Sequence, residues 1–436
     1  MLDNTMAKEI GFMAEVRPFK GLLYDKQAIG GDYASVMAPP YDVISKNMRD
    51  ELYEKNMYNV VKLILGRARK NDGLKNNKYT RAKNFLDEWQ KKGVLVRDAA
   101  ESFYVYLQEY EYRGKNYRRI GFLGLMKIED PDKDTVLPHE HTLAKPKEDR
   151  LNLIKQVRSN LSPIFTLFND DTGEIGEILE ECAAASKPVI DIEIDGVCHK
   201  LWHFSDGVSL KRIVSRMADR KIFIADGHHR HKVAGTYRDM RMQEEGYDGS
   251  ADHVTMYFTD ASKHNNLTVM ATHRAIKVMP DAKVRDKLKK HFDITEYSDL
   301  SGLMERIEGA KEEHVFGFYG GEKYLFMKPT DKNALLGLVT EEMTDDWKQL
   351  DVSVLHSAVL NSILSVSDAE GNVTYVRDPE TAEVLVKNGS HMAAFFLNPT
   401  RVAQLTAVAE HGEMMPQKST YFYPKLLTGL VINRFE

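Results

Sequence analysis

The sequence predicts a mixed α/β (α+β) protein, and three observations carry that prediction. Alternating apolar and polar runs at residues 102–111 and 117–128 flank Arg113-Gly114, and a second such pair spans 189–204 around Asp195-Gly196, so both read as β-hairpins. Residues 78–92 place Ala82, Phe85, Leu86 and Trp89 three and four apart, the spacing of one helix face, with Gly93 as the stop. The segment KIFIA (221–225) has the composition of a buried strand and runs through Asp226-Gly227 into a helical stretch that reaches about residue 245.

The other elements follow in order. Residues 14–25 look extended, Pro39-Pro40 breaks the chain, and Ser45 can cap a helix running to about residue 56. Residues 59–65 (NVVKLIL) read as a strand. Beyond the turn-rich stretch 129–134, residues 136–150 (VLPHEHTLAKPKEDR) are too dense in charge and histidine for a buried strand and predict a working loop, with a helix from there to about residue 160. Strands are expected at 164–168, 253–259, 268–276, 315–319, 323–327 and 393–397, and helices at 174–185, 208–218, 355–364, 382–388 and 401–409. There is no internal repeat, and the expected divisions are an N-terminal α+β segment at 1–130, a core at 131–280 and a C-terminal α+β segment at 281–436.

Composition narrows the function. The 60 Lys and Arg against 65 Asp and Glu give a net charge of −5, so the chain lacks the basic excess of a dedicated DNA or RNA binder, and small molecules are the expected partners. Two cysteines, Cys182 and Cys198, form no disulfide framework and no CxxC pair, which fits a reducing cytoplasm. The first twenty residues lack a secretory pattern, and no run of about 18 apolar residues is present to span a membrane.

Three segments hold chemistry. In FIADGHHRHKVAGTYRDM (223–240), a strand ends in Asp-Gly and opens a helix whose first amides suit a phosphate. Gly227 lets a ligand approach the backbone, Arg230 can clamp phosphate oxygens, and His228 and His229 can donate to charge that develops during transfer. Asp226, at the strand end beside the phosphates, is the candidate Mg²⁺ ligand. In VLPHEHTLAKPKEDRLNLI (136–154), Glu140 between His139 and His141 suits a general base, while Lys145, Lys147 and Arg150 can neutralise an anionic ligand. In GEMMPQKSTYFYPKL (412–426), Lys418 and Ser419 can contact a phosphate, although the GxxxxGK[ST] spacing of a P-loop is absent, and an aromatic-anchored tail is the competing reading. The double-proline segment MAPPYDVIS (37–45) reads as a structural turn carrying Tyr41 and Asp42. The histidine clusters leave a metal-dependent hydrolase open as an alternative, with the arginine between His229 and His231 favouring an anion pocket over a closed metal site.

The segments EVRPFKGLLYD, APPYDVIS, LPHEHTLAKPKEDRL, IADGHHRHKVA and MPQKSTYFYPKL together resemble a bacterial and archaeal family known as domain of unknown function 1015, nearly end to end. The stretch 140–234 is similar to the core of the ParB/sulfiredoxin-like fold, which implies a composite fold with a nucleotide-binding core flanked by two α+β segments. Free-serine kinases on that fold combine an upstream His-Glu with a downstream Asp-Gly-His-x-Arg, matched here by His139-Glu140 and Asp226-Gly227-His228-His229-Arg230. The resemblance implies a cytoplasmic, Mg²⁺-dependent small-molecule kinase that moves phosphate from ATP or ADP to a metabolite hydroxyl, most readily that of free L-serine. Glu140 and His228 would be catalytic, Gly227, His229, Arg230, Lys418 and Ser419 would hold the nucleotide, and His139, His141, Lys147 and Arg150 would hold the acceptor. A ParB-like nucleotide-hydrolysing switch is the other reading the resemblance leaves open.

Overall fold

The computed structural model describes residues 14–130, 133–262, 267–279, 283–367 and 371–435. The chain forms two compact units. Of the described residues, the first takes those within 14–138, 142–267 and 424–435, and the second those within 139–141 and 268–423. Residue 130 falls inside the first unit, whose main sheet draws strands from both sides of it.

That sheet has nine strands. Eight run in the order Val136–Leu137, Ile222–Asp226, Ile164–Phe168, His253–Asp260, Lys115–Lys127, Phe103–Tyr112, Val197–Phe204 and Ile190–Ile194, and Val16–Arg17 adds to Lys115–Lys127. Most pairs are antiparallel, but Ile222–Asp226 runs parallel to Val136–Leu137, and His253–Asp260 runs parallel to Ile164–Phe168. Both expected hairpins form. Arg113 (φ 51°) with Gly114 (φ 72°), and Asp195 (φ 51°) with Gly196 (φ 74°), supply the two consecutive left-handed residues that a tight hairpin turn needs.

The two faces of this sheet are buried by different means. On one face Phe103, Val105, Phe122, Met256 and Phe258 pack against Ile175, Ile178 and Leu179 of the helix Glu174–Ala185 and Ile213 and Met217 of the helix Gly207–Met217. On the other, fully buried polar side chains receive the returning chain end. Arg119 donates to the Gln108 amide oxygen and, over 2.6 Å, to the Pro424 carbonyl, Gln108 Nε2 donates to the Lys425 carbonyl at 3.0 Å, and Tyr106 Oη meets His199 Nδ1 at 2.7 Å. Each of these groups needs its partner because an unpaired polar atom in such a setting costs about 1–3 kcal/mol. The tail is thereby fixed by hydrogen bonds as well as by apolar packing.

The second unit has a six-stranded antiparallel sheet in the order Phe292–Tyr297, Tyr324–Pro329, Phe316–Tyr319, Ala393–Phe396, His273–Ile276, Val373–Val376. Its core joins Leu303 and Ile307 of the helix Leu300–Gly309 to Phe326, Ala394 and Phe396 of the sheet, with Ala382 and Val386 from the helix Pro379–Lys387.

Four sequence expectations are corrected. Residues 59–65 form the short helix Val61–Ile64 instead of a strand, because buried Asn59 accepts the Val61 amide at 2.9 Å and ties the first turn to the Ser35 and Met37 carbonyls. The expected loop 136–150 gives way at Ala144 to the helix Ala144–Val157, and Pro146 falls in its first turn, where a missing N–H costs nothing. The expected strand 268–276 is two strands with different partners, Thr268–Val269 beside Phe422–Tyr423 and His273–Ile276 in the six-stranded sheet. The segment expected as an α-helix at 355–364 is wound as a π-helix, Val354–Ile363. Cys182 and Cys198 are both free, and none of the described helices is long and apolar enough to cross a membrane.

The hairpin strand Lys115–Lys127 tolerates no side chain at Gly121, because a methyl there would run into the Phe258 carbonyl and the Tyr257 ring of the neighbouring strand. Gly121→Ala is expected to lower unfolding stability by about 1–3 kcal/mol, the usual cost of overpacking a filled core. Urea denaturation followed by circular dichroism measures it.

Candidate functional site

The strand Ile222–Asp226 is buried up to Ala225 and emerges at Asp226. Its register against Ile164–Phe168 shifts between Ile224 and Asp226, an irregularity of the kind that re-aims a side chain at a strand end. Gly227 follows at φ 101° and begins the helix His228–Met242 without a side-chain cap. A Cβ at this position would stand 3.0 Å from the Arg230 guanidinium, so glycine serves here both for its left-handed backbone and for the room it leaves.

Asp226 holds two cations. Arg230 Nη2 donates to Oδ2 at 2.6 Å and Lys425 Nζ to Oδ1 at 2.5 Å, with all three side chains at most 15% exposed. Arg230 also donates through Nη1 to the Pro163 carbonyl. Burial alone would raise the Asp226 carboxyl, but the Lys425 ammonium and the Arg230 guanidinium outweigh it and, with His228, hold the carboxyl well below the usual carboxylate range. Lys425 reaches this place because the chain end is pinned at Pro424 and Lys425 by Arg119 and Gln108.

A second carboxylate repeats the pattern. Asp149 accepts from Lys78 Nζ at 2.5 Å, from Tyr79 Oη at 2.8 Å and from Arg150. Burial opposes its ionisation, yet Arg150 and Lys78 lower it to about 2. Arg150 is buried on the same helix face as Leu153, Ile154 and Val157, donates to the Ile64 carbonyl at 2.8 Å, and lies 4.1 Å over the Tyr41 ring.

Arg150 and Arg230, one from each assembly, line one cavity of about 60 Å³ with Tyr41, Ser159, Asn160 and Ser162, and the aliphatic residues Ile64, Leu153, Ile154, Leu161, Val233 and Val254 complete its wall. Three motifs far apart in sequence, around residues 41, 150 and 230, therefore reach one place within the first unit. Four cations (Lys78, Arg150, Arg230, Lys425) stand against two carboxylates (Asp149, Asp226), which leaves an excess of two positive charges. Such a volume takes a group of a few heavy atoms, on the order of four or five waters, and the surplus charge selects an anionic one.

The remaining expected residues are placed as follows. His229 Nε2 accepts the Leu143 amide at 2.9 Å and so ties the helix His228–Met242 to the start of Ala144–Val157, and His228 is buried. His231 is pushed down to about 4 by burial and by Lys232. Lys147 is half-buried on the helix Ala144–Val157. His139, Glu140, His141, Lys418 and Ser419 belong to the second unit. There Glu140 is half-buried and bridges Met415 in parallel, the His139 carbonyl accepts the Met415 amide at 2.8 Å, and His139 Nε2 meets Thr420 Oγ1 at 3.0 Å, while His141 is exposed. Ser419 is buried with its hydroxyl on the Pro416 carbonyl at 2.5 Å, and Lys418 is exposed in a left-handed conformation. Sequence reasoning missed Lys425, Lys78 and Asp149 and took Tyr41 as part of a structural turn. Single charged residues at a distance carry no spacing signal, although Lys425 lies within the GEMMPQKSTYFYPKL segment.

The fold and this pocket define an α/β protein with a carboxylate-anchored cationic site at a strand–glycine–helix junction. The chain belongs to the protein family of unknown function DUF1015, whose model matches residues 16–353. A search of the curated proteins found no match. Among solved structures, a free serine kinase in complex with AMP is 15% identical with a TM-score of 0.34, over 68% of this chain and 86% of that one. A conserved hypothetical protein from Pyrococcus furiosus is 15% identical (TM-score 0.34, 69% and 91%), and a C-terminally truncated SbnI from Staphylococcus aureus is 11% identical (TM-score 0.36, 71% and 86%).

Asp226 sets the acid stability of this site. Its lowered pKa means that its stabilising contribution is complete above the unfolded carboxyl value of about 3.9 and is lost as pH falls below it toward the folded value. Asp226→Asn is expected to cost about 3–5 kcal/mol near neutrality, because two buried cations lose their counter-charge. The variant also loses part of the parental acid sensitivity below about pH 4. Thermal melts at pH 7 and pH 3 check both.

Proposed function

We propose that the protein is a small-molecule kinase that transfers a phosphoryl group from a nucleotide, ATP or ADP, to a metabolite hydroxyl, with free L-serine as the first acceptor to test. The observation that carries this reading is the cavity lined by Arg150 and Arg230, with one surplus positive charge in the Asp226 trio at the Gly227 helix start and one in the Asp149 trio. Phosphoryl transfer asks mainly for positioning and charge neutralisation, and these side chains are suited to both. Arg230 is pre-aimed by Asp226 and the Pro163 carbonyl, so little rotamer freedom remains to be lost on binding.

In the proposed reaction the acceptor oxygen bonds to the terminal phosphorus, the bond from that phosphorus to the nucleotide's bridging oxygen breaks, and the acceptor proton passes to a carboxylate. Glu140 is assigned as that base on the likeness of His139-Glu140 and Asp226-Gly227-His228-His229-Arg230 to the free-serine kinase motifs. Mg²⁺ does not fit Asp226 in this arrangement, since both carboxylate oxygens are engaged by cations. Among the described residues no three His, Cys, Asp or Glu side chains gather to hold a metal, which also leaves the metal-dependent hydrolase without a centre there. At this cavity the Lys and Arg side chains supply the charge that would neutralise phosphate.

The test is purified protein incubated with ATP or ADP and a panel of hydroxylated metabolites, with phosphorylated product detected by mass. Release of inorganic phosphate without any phosphorylated acceptor would overturn the kinase and favour a nucleotide-hydrolysing switch. Arg230→Ala is expected to weaken nucleotide binding by about 2–5 kcal/mol, measured by calorimetry, as for truncation of one partner in a buried charge pair. Glu140→Gln is expected to slow turnover by about 10²–10⁴ with nucleotide affinity unchanged. Parental turnover in Glu140→Gln would remove the base assignment while leaving the anion site standing.

A further inference from the structure

A larger cavity of about 480 Å³ opens elsewhere in the first unit, within the range of about 300–1,000 Å³ usual for small-molecule sites. Its wall carries Lys62, Arg67, Arg69, Lys78 and Arg81, with Glu54 as the single acid among the described lining residues. The Glu54 side chain is 78% exposed, so solvent screens it strongly. The other carboxylates that touch these cations are not part of the wall. Asp50 takes Arg67 Nε at 2.9 Å, Asp72 takes Arg81 Nη1 at 2.7 Å, and Asp149 takes Lys78.

Several features make this a shaped site and not a solvated basic face. Arg81 is 14% exposed and also donates to the Arg67 carbonyl at 2.7 Å, which holds the backbone of the wall in place. The Arg67 guanidinium lies 4.2 Å over the Tyr53 ring, and the Tyr53 hydroxyl accepts the Arg67 amide at 2.9 Å. Burial lowers the Lys62 ammonium from its ordinary value. Lys62 donates only to the Met57 carbonyl, and the Arg69 guanidinium makes no hydrogen bond or salt bridge among the described residues. Fixed cations backed by carboxylates, two further cations that make no salt bridge among the described residues, and the aromatic side chains of Tyr53 and Phe85 form a set suited to several phosphate oxygens at once.

We propose that this cavity is a second anion site that binds a ligand carrying two or more linked phosphates. The proposal rests on the phosphate chemistry proposed above only in its choice of ligand class. Asp149 links the two sites, since its carboxylate bonds Lys78 on the wall of the large cavity and Arg150 on the wall of the small one.

The experiment is isothermal calorimetry of the full chain with pyrophosphate and, separately, with ATP, on the parental protein, on a Lys62→Gln/Arg69→Gln double variant and on Arg230→Ala, each checked for folding by its thermal melt. Two binding events are expected in the parental protein. The double variant should weaken one of them by at least tenfold and leave the other, whereas Arg230→Ala should do the reverse. If the double variant does not fold, Arg69→Gln alone carries the test with an expected loss of about threefold or more. Tighter binding of ATP than of pyrophosphate at this site assigns it to nucleotides, and equal binding assigns it to the phosphate chain itself. A single event that the Lys62 and Arg69 changes leave unaltered, or no binding of either probe, would overturn the second site. Loss of the Arg230-dependent event alone would count against the kinase reading and not against this one.

Discussion

The Asp226 carboxylate, held by Arg230 from its own helix and by Lys425 from the chain end, is the contact on which the first unit's chemistry depends. It joins residues 199 positions apart, and it forms only because the sheet has already been built in a particular way. The strand that carries Asp226 sits one place from the edge, next to Val136–Leu137, while the tail that carries Lys425 is received by Gln108 and Arg119 on central strands. Buried Gln108 and Arg119 on one face of the sheet are thus the means by which a C-terminal lysine is delivered to the end of a distant strand. An apolar back face would bury the tail equally well but would set its register less strictly, since hydrophobic contact is not directional.

Burying a carboxylate between two cations is a poor way to gain stability. One partner is enough to neutralise it, and the desolvation of each added charge costs several kcal/mol before any gain is counted. The arrangement occurs twice on one cavity, at Asp226 and at Asp149, and both times the second cation is left with charge to spare. The carboxylate in such a trio fixes where the cations stand, so that an arriving anion meets donors that are already oriented. That is the preorganisation which electrostatic recognition requires.

Much of this fold was legible in the sequence because its signals are local. The turns Arg113-Gly114 and Asp195-Gly196 announce left-handed positions, the face of Ala82, Leu86 and Trp89 announces a helix, and KIFIA followed by Asp-Gly announces a strand–helix junction. The failures have a shared physical cause, which is that a distant partner decides the local state. Asn59 turns a β-rich run into a helix by bonding the Ser35 and Met37 carbonyls, and the stretch 268–276 divides because its halves are claimed by different strands. The site behaves the same way. Asp226, Gly227 and Arg230 are neighbours in sequence and could be read together, whereas Lys425, Lys78 and Tyr41 acquire a role only through tertiary contact.

Surplus positive charge also changes how the free and bound states of the first unit compare. Without a ligand, the guanidinium groups of Arg150 and Arg230 face a cavity whose polar lining includes the Ser159 and Ser162 side chains. Asp149 and Asp226 balance these two charges, and the surplus of two is carried by Lys78 and Lys425 on the same carboxylates. On the proposed reading, an anion of two negative charges removes that surplus and, binding the folded state alone, stabilises the fold by an amount that grows with the logarithm of its concentration. On the proposed reading, a cationic cavity gives up stability when empty and regains it when filled, which would set a binding site apart from a structural ion-pair network.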